Sequence, residues 1–154
     1  MAGVVSYLGS ELYVTGVDAT APTEADKIKY WRSVSGIGSF EKEPIEGEVC
    51  DGDGFSFWTT GKRSQKETVV DIHYMDKNSI TKLNELALAK AEDEQCKIWF
   101  KPTALIGWDE TEAFCSLAII TSKDAREANA SQAQGASYVF KKSGAPITWD
   151  GTLG

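Results

Sequence analysis

The stretch ETVVDIHYMDKNSITKLNELALAKAEDEQCKIWFKP, residues 67–102, changes its hydrophobic period twice. In ETVVDIHYM (67–75), Thr68, Val70, Ile72 and Tyr74 share one face and Val69, Asp71, His73 and Met75 the other, the alternation of a half-buried strand. From Ser79 to Glu92 the apolar residues Ile80, Leu83, Ala87 and Ala91 recur at helical spacing, with Lys82, Glu85 and Glu92 opposite. An amphipathic helix is therefore expected over about 79–92, its start capped by Asp76, Asn78 or Ser79. Alternation returns in CKIWFKP (96–102), which places Cys96, Ile98 and Phe100 inward and Lys97, Trp99 and Lys101 outward.

Further strands follow on either side. ELYVTGV (11–17) alternates around Leu12 and Val14, and 28–43 reads as a long bent strand broken by Gly36 and Gly38. TEAFCSLAIITS (111–122) is apolar on both faces, SYVFKK (137–142) is a last strand, and Gly107 and Trp108 mark a hairpin tip between neighbours. The expected fold is mainly β: an antiparallel sandwich or barrel with one flanking helix. The 154 residues fit a single domain, 1–154, with flexible arms at 1–10 and 143–154.

Residues 44–66, PIEGEVCDGDGFSFWTTGKRSQK, read as a long loop. Loops beyond about 12–15 residues are uncommon in compact domains, and disordered segments are poor in aromatics. Phe55, Phe57 and Trp58 therefore suggest a surface that something covers. Charge is split as well, with Glu41, Glu43, Glu46, Glu48, Asp51 and Asp53 on one side and Lys62, Arg63 and Lys66 on the other. The plain alternative is a solvated hairpin whose arms neutralise each other.

Sixteen Lys and Arg against 23 Asp and Glu give a net charge of −7, which argues against a dedicated nucleic-acid or anionic-lipid binder. No run approaches the roughly 18–20 apolar residues of a membrane span, so no membrane insertion is expected. Cys50, Cys96 and Cys115 are widely spaced and read as free thiols, the last two buried.

Catalytic patterns do not emerge. His73 is the sole histidine and shares a strand face with Asp71, the setting of a satisfied histidine rather than a general base. CDGDG begins like a calcium loop, but with Asp51 at position 1 the closing position 12 falls on Lys62. Asp109, Glu110 and Glu112 cluster as a solvated loop tip rather than a glycosidase pair. Trp31, Trp99 and Trp108 could form a sugar platform on a monomeric carbohydrate-binding β-sandwich, the reading from another functional class. The expectation is a protein that is not an enzyme and carries no metal or cofactor.

The order GIGSFEKE (36–43), the acidic glycine-rich segment, GKRSQKETVVDIHYM (61–75), SITKLNELALAKAED (79–93), CKIWFKPT (96–103) and IGWDETEAFCSLAIITS (106–122) resembles the major tail tube protein of long-tailed bacteriophages, a family similar in fold to the type VI secretion tube protein. The resemblance spans about Lys27 to Ile147. It implies hexameric rings stacked into a hollow tube that delivers the genome, in the virion tail, after synthesis and assembly in the host cytoplasm. It implies tail terminator, distal tail and tape measure proteins as partners, with DNA passing without specific binding. A tube within a contractile tail or a type VI-like secretion system is the neighbouring reading.

Within that resemblance, Asp51, Asp53, Phe55, Phe57, Trp58, Lys62, Arg63 and Trp149 are the expected contacts between rings or subunits. Glu41, Glu43, Glu46 and Glu48 are expected near the channel or a ring junction.

Overall fold

The computed structural model describes residues 9–47, 57–102, 113–126, 130–131 and 133–154. Glu48, Asp51, Asp53 and Phe55 among the expected contacts lie outside the described residues, as do Cys50, Trp108, Asp109, Glu110 and Glu112.

Among the described residues, eight strands and one α-helix follow in the order β1 (Glu11–Thr15), β2 (Trp31–Ser35), β3 (Phe40–Gly47), β4 (Phe57–Gln65), β5 (Thr68–His73), α1 (Lys77–Leu88), β6 (Cys96–Lys101), β7 (Phe114–Ala125) and β8 (Gly135–Ile147). Six strands make one curled antiparallel sheet, a half-barrel ordered β1-β6-β7-β8-β5-β2, and β3 and β4 form a separate two-stranded sheet. The mainly β fold with one helix is as the sequence indicated. Residues 44–66 are a correction: most of them belong to the β3–β4 hairpin rather than to a loop. Pro44 is tolerated because β3 is an edge strand and its pairing slips between Lys42 and Pro44.

Alternation decides which side chains meet. Leu12 and Val14 of β1, Val70 and Ile72 of β5, Ile98 and Phe100 of β6 and Tyr138 and Phe140 of β8 pack on one face of the sheet, where Leu83 of α1 joins them with Ile80, Leu86 and Ala87 at its margin. Burying each such aliphatic side chain contributes about 1.5–3 kcal/mol. The helix starts at Asp76, whose carboxylate accepts from the Ser79 N–H at 3.2 Å and the Ser79 hydroxyl at 2.7 Å. Ser79 Oγ in turn accepts from the Lys29 N–H at 2.9 Å, tying the helix start to the segment before β2. The helix ends at Leu88, short of the expected 92, although Ala91 continues its periodicity.

The opposite face of β1 and β6 carries a second, smaller core. Tyr13, Trp99 and Cys115 are buried there beneath Trp149. Trp99 is 1% exposed, which corrects its outward, solvent-facing assignment. Its indole N–H donates to Thr15 Oγ1 at 2.8 Å. The expected arm from residue 143 is likewise revised, because β8 runs to Ile147 and Trp149 packs inside the subunit. The backbone N–H of Gly154 reaches the Pro22 carbonyl at 2.9 Å.

Cys96 and Cys115 are buried free thiols, and burial pushes them up to about 12 and about 11. His73 ends β5 beside Arg126, whose guanidinium also contacts the Asp71 carboxylate and donates to the Ile72 carbonyl at 3.2 Å. Arg32 lies 3.6 Å from Asp71 on the other side. The histidine sits against a structural ion-pair cluster, with Arg126 Nη2 at 2.9 Å from its Nδ1.

Candidate assembly surface

The hairpin leaves the half-barrel at a turn that divides the long bent strand expected over 28–43 into β2 and β3. Gly36 and Gly38 have φ of +81° and +75°, and a Cβ on Gly36 would lie 2.0 Å from the Glu67 carbonyl oxygen. Only glycine fits that left-handed, close-packed position. Lys142, buried on β8, donates to the Gly36 carbonyl at 2.7 Å and stands 4.9 Å from the centroid of the Phe114 ring. Burial without a carboxylate partner lowers its pKa to about 8. Gln65 Nε2 bridges the Ser116 hydroxyl and the Gly144 carbonyl, both at 2.8 Å, and fixes the other root of the hairpin.

Beyond the root the hairpin is uncovered. Phe40, Ile45, Phe57 and Trp58 are 60%, 46%, 51% and 64% exposed, so four of the nine large exposed apolar side chains among the described residues fall on this one element. A two-stranded hairpin is marginal in water by itself, and large apolar side chains left exposed on both faces of one element mark an interaction site. Both outer edges of the hairpin also lack a strand partner among the described residues.

Cross-strand pairing sorts the expected residues onto faces. Lys42 stands opposite Arg63, and Glu46 opposite Trp58, on one face. Glu41 pairs with Ser64 and Gly47 with Phe57 on the other, where the Phe57 ring lies over the glycine backbone. The hairpin arms therefore do not neutralise each other residue by residue. A cation faces a cation, an arrangement that is unfavourable across a strand pair.

Phe57, Trp58, Lys62 and Arg63 are thus together on β4, all exposed, with Glu41, Glu43 and Glu46 exposed on β3 beside them. Trp149 is not with them; it caps the small core on β1 and β6. The sequence reading missed Phe40 and Ile45, which the hairpin register adds to the same exposed element. It named Lys66 among the basic residues but missed that Lys66 and Lys141 line one cleft at the hairpin root. Their signal was weak because the β4–β8 approach that joins them is long-range. Among the described residues no group of three or more metal-ligating side chains converges.

No protein-family model and no curated protein matches the chain. Solved structures do. One is the tail of an empty gene transfer agent particle with C6 symmetry, 15% identical, with a TM-score of 0.62 over 90% of this chain and 95% of that one. A chain of the six-fold symmetrised anti-feeding prophage baseplate is 10% identical, with a TM-score of 0.68 over 99% of each chain. The SPP1 tail tube is 14% identical, with a TM-score of 0.59 over 91% of this chain and 77% of that one. The chain shares the fold of tail tube proteins.

Proposed function

We propose that this chain is a structural tail tube subunit that closes into hexameric rings and stacks them into a hollow conduit for genome delivery. The uncovered β3–β4 hairpin carries the proposal: Phe40 and Trp58 on one of its faces and Ile45 and Phe57 on the other are large apolar side chains that an isolated subunit leaves wet. The fold supports the same reading. A ring contact between different patches closes at six-fold rotation, and a second contact stacks rings into a tube.

Phe57, Trp58, Lys62 and Arg63 are the stacking contacts in this account, with Glu41, Glu43 and Glu46 at the channel or ring junction. The net charge of −7 gives DNA a wall that repels rather than holds it. Terminator, distal tail and tape measure proteins are the expected partners, and the virion tail the location.

A tube working inside a sheath is the second reading, supported by the likeness to a chain of the sheath–tube complex of an extracellular contractile injection system. A carbohydrate-binding monomer is disfavoured by the platform residues themselves, since Trp99 is buried and Trp31 packs edge-on to Phe100. The test is the mass of the purified protein by light scattering over a concentration series. Growth to hexamers and beyond is expected; a monomer at every concentration would end the proposal.

A further inference from the structure

At the root of the hairpin, β4 and β8 enclose an open cleft of about 770 Å³. Lys62, Arg63, Lys66, Lys141 and Lys142 line it, against the carboxylates of Glu41 and Glu67. Five cations and two carboxylates leave an excess of three positive charges in a chain whose net charge is −7. Among the described residues none of the five is within ion-pair distance of a carboxylate. Strand β3 has the opposite character. Beyond Glu41, which lines the cleft, it presents Glu43 and Glu46 to solvent against Lys42 alone, likewise without ion pairs among the described residues, and its outer edge has no strand partner among them.

In the internal register Lys42 opposes Arg63, Glu41 and Glu46 oppose Ser64 and Trp58, and Glu43 falls at the register shift between Lys42 and Pro44. We propose that the basic cleft receives the acidic β3 strand of a second copy of this chain, so that each subunit offers one acidic strand and one basic cleft. The contact is heterologous and propagates with a direction, because a strand seated in a cleft leaves the partner's own strand free for the next copy. Electrostatic complementarity of this kind sets register and excludes wrong pairings more than it adds raw affinity. The inference rests on the tube reading above and specifies the contact that stacks one ring on the next.

Charge exchange tests it on the full chain. One variant reverses the cleft with Lys62→Glu, Arg63→Glu, Lys66→Glu and Lys141→Glu; the other reverses the strand with Glu43→Lys and Glu46→Lys. All six side chains are exposed, and circular dichroism checks that both variants retain the fold. By sedimentation each variant alone should stop at single rings, and mixing the two should restore long assemblies in which they alternate. In the wild type, stacking should weaken as salt rises from about 0.01 M to about 1 M, where the Debye length shrinks from about 30 Å to about 3 Å. Variants that each stack as the wild type does, or a mixture that stacks no better than its components, would overturn the cleft assignment and leave the tube reading standing. A wild type that forms no ring at low salt would overturn both.

Discussion

The indole of Trp149 stands edge-on to that of Trp99, with ring centroids 5.2 Å apart and planes 76° apart. Tyr13 meets Trp149 in the same way at 6.4 Å. The indole N–H of Trp149 donates to the Thr152 carbonyl at 2.9 Å, which folds the chain end down over the sheet. One residue near the C-terminus thus closes the smaller core.

Trp149→Ala should therefore cost about 3–5 kcal/mol, the range for emptying a large buried aromatic site. Urea unfolding measures the loss. Trp99 emission should shift to the red in the folded variant as water reaches its ring. An unchanged midpoint and spectrum would show that the cap contributes nothing.

Lys142 gives a pH dependence of definite sign. Its folded value of about 8 lies below the ordinary 10.5, so between those values the unfolded chain binds more protons and stability rises with pH. Cys96 and Cys115 act oppositely: their folded values near 12 and 11 exceed the ordinary 9.0, and the stability they contribute fades as pH climbs through them. The clearest window is therefore about pH 8 to 9. Lys142→Met should flatten the rise there, and the difference between the two unfolding profiles isolates the lysine.

Asp76→Ala should cost about 1 kcal/mol as a lost N-terminal cap. The Ser79 hydroxyl, then its N–H, hold the Asp76 carboxyl below its ordinary 3.8 despite slight burial. Its stabilisation is present above 3.8 and is lost as pH falls through the lowered folded value. Acid unfolding of wild type and variant should converge at the low end.

Phe57→Ser combined with Trp58→Ser should leave the monomer as stable as before, since both rings are more than half exposed. Assembly should be lost. Normal thermal unfolding together with intact polymers would remove the hairpin from the account.

Local pattern carried the half-barrel and helix, because alternation in 68–73 and 96–101 and helical spacing at Ile80, Leu83 and Ala87 are written in consecutive residues. The hairpin was obscured by Pro44 and Gly61, which read as loop residues but sit on paired edge strands at an irregular register. Trp99 was placed on the correct face and still misjudged, because its cover arrives from a segment 50 residues later. The basic cleft depended on β4 meeting β8, a contact no local period reports. The exposed side chains of β4 were legible for the opposite reason: aromatics beside breakers and cations stand out in composition alone.

The most direct measurement is electron microscopy of the concentrated wild-type protein in negative stain, with class averages viewed down the long axis. The account predicts hollow tubes of uniform width whose cross-sections show six subunits around an open channel. Dispersed particles of monomer size, or solid aggregates with no channel, would contradict it.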